Sequence, residues 1–144
     1  MNTELIFSIV NAAASFSWLL LLIFPFSKLV HKILLNIIIV GLAILYVIII
    51  SQSLNWQTFE NTSTLAGIAD LFTNPLALLA GWVHYLAFDL MVGLYITNNA
   101  RRYGINRFIL IPCLLFTFML GPVGLLLYII IRSIYNKRYF EDYD

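Results

Sequence analysis

The sequence predicts an all-α membrane protein, a four-transmembrane-helix bundle, on three observations. The first is composition: of 144 residues, 62% are hydrophobic and 10% charged, with a mean hydropathy of +0.93. Soluble domains average about 25% charged, and a domain this small leaves much of its surface uncovered, so the solvent for that surface is lipid. The second is length: four apolar runs, at residues 5–24, 33–50, 75–97 and 108–131, contain no Lys or Arg. Each is near the roughly 20 residues that a helix needs to cross a ~30 Å hydrocarbon core. The third is that the charged residues collect between and after these runs. Residues 1–144 therefore read as a single integral membrane domain.

The elements follow in order. The first span ends at Pro25, and the second, from Ile33 to Ile50, is almost purely aliphatic. Residues 51–74 hold Leu65, Ile68, Ala69 and Phe72 at i, i+3, i+4 and i+7, one apolar helix face, with Thr64 placed to cap it. This predicts a short interfacial helix between spans 2 and 3. Asn61-Thr62-Ser63 matches a glycosylation sequon, too short a motif to carry weight. The third span starts at Pro75, a favourable first helical position. The fourth is interrupted by Gly121-Pro122-Val123-Gly124, which predicts a Gly-Pro break: a kink, or a broken helix lining a site.

Charge sets topology. The loops after spans 1 and 3 carry Lys28, Lys32, Arg101, Arg102 and Arg107, whereas the long second loop has no Lys or Arg. Arg132, Lys137 and Arg138 follow the fourth span, beside Glu141, Asp142 and Asp144. With four crossings, the positive-inside rule places both termini away from the cytoplasm; a re-entrant fourth segment would return the tail to the basic side. The net charge of +1 gives no basis for nucleic-acid binding. The lone cysteine, Cys113, excludes an internal disulfide framework and is expected to be packing. Met1–Glu4 lacks the basic stretch that opens a signal peptide, and no basic, serine-rich transit segment is visible. The expected location is a bacterial cytoplasmic membrane, or a plastid membrane for a processed plant or algal protein.

Chemistry concentrates in the third span. About its midpoint at residue 86, His84 lies ~3 Å to one side and Asp89 ~4.5 Å to the other. A carboxyl at that depth costs about 2.5–3.5 kcal/mol on insertion scales and marks a functional site by default. An interhelical hydrogen bond, for instance to Tyr46 or Asn11, contributes on average only about 0.6 kcal/mol, too little to explain it. In lipid the uncharged forms are favoured, and an aspartic acid with a histidine makes an acid/base pair. The two side chains are nonetheless about 140° apart on an ideal helix. Asp89 shares its face with Tyr85 and Trp82, and His84 shares its face with Phe88 and Tyr95. Ser8, Asn11, Ser15 and Trp18 form a polar stripe on the first helix, Tyr46 sits deep in the second, and Thr117 and Pro122 flank the break. One histidine and one aspartate are not a zinc set, and a haem role for His84 finds no partner histidine in another span. Neither cofactor nor metal is expected.

Asn74-Pro75, Gly81-Trp82-Val83-His84-Tyr85-Leu86-Ala87-Phe88-Asp89-Leu90, Gly93 and Gly121-Pro122-Val123-Gly124 together resemble the abscisic-acid-deficient-four-like family. Its members are small membrane proteins of bacteria, algae and plants, and the plant member is associated with neoxanthin synthesis from violaxanthin. The resemblance implies a cofactor-independent isomerase acting on a carotenoid epoxide or related isoprenoid lipid. In that chemistry Asp89 would be the acid, His84 the base, and Tyr85 a proton relay. Trp82, Phe88, Asn11, Tyr46, Thr117 and Pro122 would line the substrate site. The alternatives are a non-catalytic carotenoid- or lipid-binding module, with Trp82, Phe88, Tyr95 and Phe118 as its wall, or a small transporter. The expected partners are the bilayer, an apolar isoprenoid ligand and a second copy in a homodimer.

Overall fold

In a computed structural model of the chain, residues 2–53 and 62–137 are described, and their regular structure is helical. α1 spans Thr3–Ile23, and α2 spans Lys28–Ser53 with a stretch of wider π-type turns at Leu34–Ile39. α3 is the short Leu65–Leu71, α4 is Pro75–Arg102, α5 is Arg107–Leu120 and α6 is Pro122–Asn136. Polar side chains start them: Asn2, Ser27, Thr64, Asn74 and Asn106 each accept a backbone N–H from the first turn of α1, α2, α3, α4 and α5, satisfying donors that lipid would leave bare. α3 is the expected short helix; its Leu65 is exposed, Ile68 is partly so, and Phe72, just after it, leans on α4.

α4 is the hub, packed against α1, α2 and the α5–α6 pair. Small residues allow the close approach: Ala77, Ala80, Ala87 and Ala100 are buried along it, and a Cβ on Gly93 would lie 2.8 Å from the Trp18 ring. Asn11 meets Trp82 and Trp18 meets Gly93, so α1 and α4 run parallel. Tyr46 meets His84 and His31 meets Thr97, so α2 runs against them.

α1, α2 and α4 are long and apolar enough to cross a membrane, whereas α5 and α6 have only 14 and 15 residues. The expected fourth span is not one helix with a kink. The chain reverses at Gly121, with φ 44° and ψ −93°, and α6 folds back along α5. Gly124 lies so close to Thr117 and the Cys113 carbonyl that a Cβ there would overlap both. Further along α6, the Tyr128 hydroxyl donates to Asn99 Oδ1 at 2.5 Å and Arg132 Nη1 donates to the same oxygen at 3.2 Å. The Arg132 guanidinium also lies 5.5 Å from the Tyr103 ring centroid. The end of α6 is thus beside the end of α4, where α5 began. At 1.5 Å per residue α5 is ~21 Å long, too short to cross a ~30 Å core. The pair is a re-entrant hairpin whose tip stops part-way.

This revises the topology. Lys28, Lys32, Arg101, Arg102, Arg107, Arg132 and Lys137 all fall at one end of the helices, and Glu4 and Asp70 at the other. The start of α1 and the end of α6 are therefore not on one side: the start of α1 is remote from the basic end, and α6 returns to it. Arg132, expected in the tail after the fourth span, lies within α6 and is 5% exposed. Arg138, Glu141, Asp142 and Asp144, and the sequon's Asn61, lie outside the described residues. Cys113 is buried and serves as packing within the hairpin.

In a Cys113→Ala background, Lys28→Cys and Lys137→Cys are expected to react with an impermeant maleimide from the same side of sealed vesicles, and Asp70→Cys from the other. Labelling of the two lysine positions from opposite sides would mean that α5 and α6 together cross the bilayer.

Candidate functional site

The 28 residues of α4 extend ~42 Å, five residues beyond the expected end of the third span, because Thr97 and Asn99 find partners inside the bundle. This lengthening puts Asp89 at the helix centre. Its side chain is 8% exposed, and its Oδ2 has no hydrogen-bond partner among the described residues. What covers it is the hairpin tip: a Cβ built on Gly121 would lie 2.6 Å from Asp89 Oδ1. Glycine is required here both by that contact and by the positive φ.

The break also exposes backbone acceptors. Pro122 has no N–H and α5 stops at Leu120, so carbonyls in its last turn lose their helical partners. Tyr85, one turn before Asp89 on the same face of α4, takes one of them: its hydroxyl donates to the Met119 carbonyl at 3.1 Å. Asp89 presents its carboxyl on that same face of α4, one turn further along.

Tyr85 also borders a groove of about 240 Å³ with Asn11, Ser15, Trp82, Phe118 and Met119. The groove exists because the hairpin ends at mid-depth and leaves this face of α1 and α4 uncovered beyond its tip. Trp82 continues the surface into a second hollow of about 280 Å³, beside Phe7 and Pro75 at the amino end. Trp82 Nε1 donates to Asn11 Oδ1 at 2.9 Å, and Asn11 Nδ2 donates to the Phe7 carbonyl at 2.9 Å. The Trp82 ring is 5.5 Å from that of Tyr85 and 5.9 Å from that of Phe7. An aromatic wall thus leads to a phenol, with a buried carboxyl behind it.

The chain belongs to the ABA4-like family. The family model, described as ABA DEFICIENT 4-like, matches residues 5–128, which include every residue of this groove. Membership associates the chain with the carotenoid and abscisic-acid pathway. The family is associated with plants and plastids, and the bacterial membrane expected from the sequence finds no support. No curated protein and no solved structure matches the chain.

In this ABA4-like protein the sequence-predicted residues divide. Asp89, Tyr85, Trp82 and Asn11 fall along one side of α4, whereas Pro122, the first residue of α6, does not line the groove. His84 does not join them. It faces α2, stacked on Phe88 at 4.5 Å and 22° and 5.5 Å from the Tyr46 ring. Thr117 is buried in the hairpin seam, donating to the Cys113 carbonyl at 2.8 Å, and does not line the groove. Of the first-helix stripe, Ser15 borders the groove, Ser8 bonds its own helix at the Glu4 carbonyl, and Trp18 is buried against Gly93. Among the described residues no three His, Cys, Asp or Glu side chains gather as a metal site. Phe118, expected in the wall of a binding module, does border the groove, whereas the contribution of Met119 was not visible in the sequence, because it depends on the chain reversal. The signal that stood nearest was glycine directly before Pro122.

Gly121→Ala is expected to destabilise the protein by about 1–3 kcal/mol, the usual cost of a strained backbone conformation, read as a lowered thermal midpoint in detergent. Asp89→Ala should relieve the steric part and leave the φ part, so the double variant should be non-additive. Full additivity would mean that tip and carboxyl do not touch.

Proposed function

We propose that this ABA4-like protein is an intramembrane isomerase of the violaxanthin-to-neoxanthin type, acting on a carotenoid epoxide through Tyr85 and Asp89. The observation that carries this reading is the order of groups from the groove inward: the Tyr85 hydroxyl at the groove, then the buried Asp89 carboxyl. A midplane carboxyl is too costly to be retained for helix packing alone, and a proton relay gives it a task.

The reaction needs one proton delivered and one removed. Tyr85 donates to the epoxide oxygen, and Asp89 restores the phenol's proton. The carbon–oxygen bond opens, the proton on the neighbouring polyene carbon leaves, and an allene and a hydroxyl remain. The departing proton is taken by the Tyr85 oxygen, which passes its own proton back to the Asp89 carboxylate. No electrons enter or leave. Trp82 and Phe118 provide apolar walls for the end ring, and Asn11 and Ser15 provide polar atoms for its hydroxyl. The low dielectric of the groove strengthens each of these interactions relative to water. His84, on another face of α4, has no part in this relay, in contrast to its expected role as base.

The test is chromatography of pigments after incubating membranes containing the protein with violaxanthin. The wild type should form an allenic isomer. Asp89→Asn and Tyr85→Phe should each lower turnover by about 10²–10⁴-fold, the usual contribution of a positioned acid or base, with Leu126→Ala on the outer face of α6 as the insertion control. Full activity in Asp89→Asn would remove the relay. Pigment retained at fixed ratio without conversion would favour a binding module instead.

A further inference from the structure

His84 and Tyr46 are left over once the groove beside Tyr85 is accounted for, and the two share a different hollow. It lies between α2, α3 and α4, with a volume of about 370 Å³, and Tyr46, Ile50, Phe72, Ala77, Gly81 and His84 border it. This lies within the range of roughly 300–1,000 Å³ common for small-molecule sites. Its roof is specific. Phe72, just after α3, packs so closely on α4 that a Cβ on Gly81 would lie 2.8 Å from its ring.

The polar groups in this hollow have an unusual status. Among the described residues, neither the His84 ring nitrogens nor the Tyr46 hydroxyl has a hydrogen-bond partner. On a soluble protein, water would supply one. Here His84 is about 13 Å along α4 from Pro75, beyond the ~6 Å by which a centred ~42 Å helix would project from a ~30 Å core. Lipid tails offer it nothing, and a polar group without a partner in hydrocarbon is costly. Two such groups, with rings 5.5 Å apart, border one cavity. Phe88 stacks flat on His84 and holds the imidazole in place.

We propose that this hollow is a second ligand site, separate from the Asp89 groove, that takes the oxygen-bearing ring end of an apolar lipid, with His84 and Tyr46 as its hydrogen-bonding pair. An imidazole can donate or accept and a phenol can do both, so the pair suits a ring hydroxyl or a ring carbonyl. The aromatic rings of Phe72 and Tyr46 suit a flat six-membered ring, and the largely apolar lining suits the start of a long apolar tail. A hydroxylated carotenoid and a quinone share this chemistry. The site does not depend on the isomerase reading, since it uses none of the relay residues.

The full chain, labelled with ¹⁵N at its two histidines and placed in phosphatidylcholine nanodiscs, tests this with two probes: zeaxanthin, which has ring hydroxyls and no epoxide, and decylubiquinone. Binding should move the His84 resonances and leave those of His31, whose ring is already held by the Ser27 carbonyl and Thr97. His84→Phe should abolish the binding, and the conservative Tyr46→Phe should weaken it about tenfold. A response to zeaxanthin alone assigns a hydroxylated ring, and a response to the quinone alone assigns a carbonyl ring. If neither probe moves His84, or if both variants bind as the wild type does, the proposal is overturned.

Discussion

The seating of the hairpin tip against Asp89 is the contact on which the rest of the structure depends. A helix cannot simply end in the middle of a bilayer, because its last carbonyls would face hydrocarbon. Here the end is made tolerable from the neighbouring helix. Tyr85 takes the Met119 carbonyl, and Gly121 turns the chain within a space that the Asp89 carboxyl leaves for no side chain. Gly124 lets α6 lie directly on α5 at Thr117. At the opposite end, Asn99 accepts from both Tyr128 and Arg132 and draws the base of the hairpin against α4. The hairpin is therefore held at both ends, which sets its depth.

That depth creates the asymmetry of the molecule. In the basic half, α4 is covered by α1, α2 and the hairpin, and its polar side chains are used internally: Thr97 with His31, Asn99 with Tyr128 and Arg132. In the other half the hairpin is absent, and α1 and α4 leave the aromatic groove that ends at Tyr85. A full fourth crossing would have filled that groove. The re-entrant form thus leaves open a lateral groove that reaches Tyr85, one turn from the buried carboxyl. The same geometry gathers the described cations at one end.

α4 serves two faces. Successive helical positions turn by about 100°, so Asp89 and His84 look into different surroundings, one toward the hairpin and one toward α2 and α3. The two polar clusters are separate on one support, the proposed proton relay on one face and the proposed hydrogen-bonding pair on another, each with its own aromatic neighbours.

The membrane class, the starts of α3 and α4 and the mid-span position of Asp89 were legible in the sequence. They depend on local properties: run length, capping side chains and the cost of a carboxyl in lipid. The grouping of Asp89 with Tyr85 and Trp82 was legible for the same reason, since helical spacing alone puts them on one face. The direction of the chain after Gly121 was not. Gly-Pro interrupts a helix whether the chain then continues or reverses, and the outcome turns on whether α6 packs better on α5 and Asn99 than across the bilayer. The tertiary structure decided that, and with it the return of α6 to the basic end, the burial of Arg132 and the removal of Thr117 from the site. Long-range contacts between segments many residues apart determine each of these, and no local pattern in the sequence encodes them.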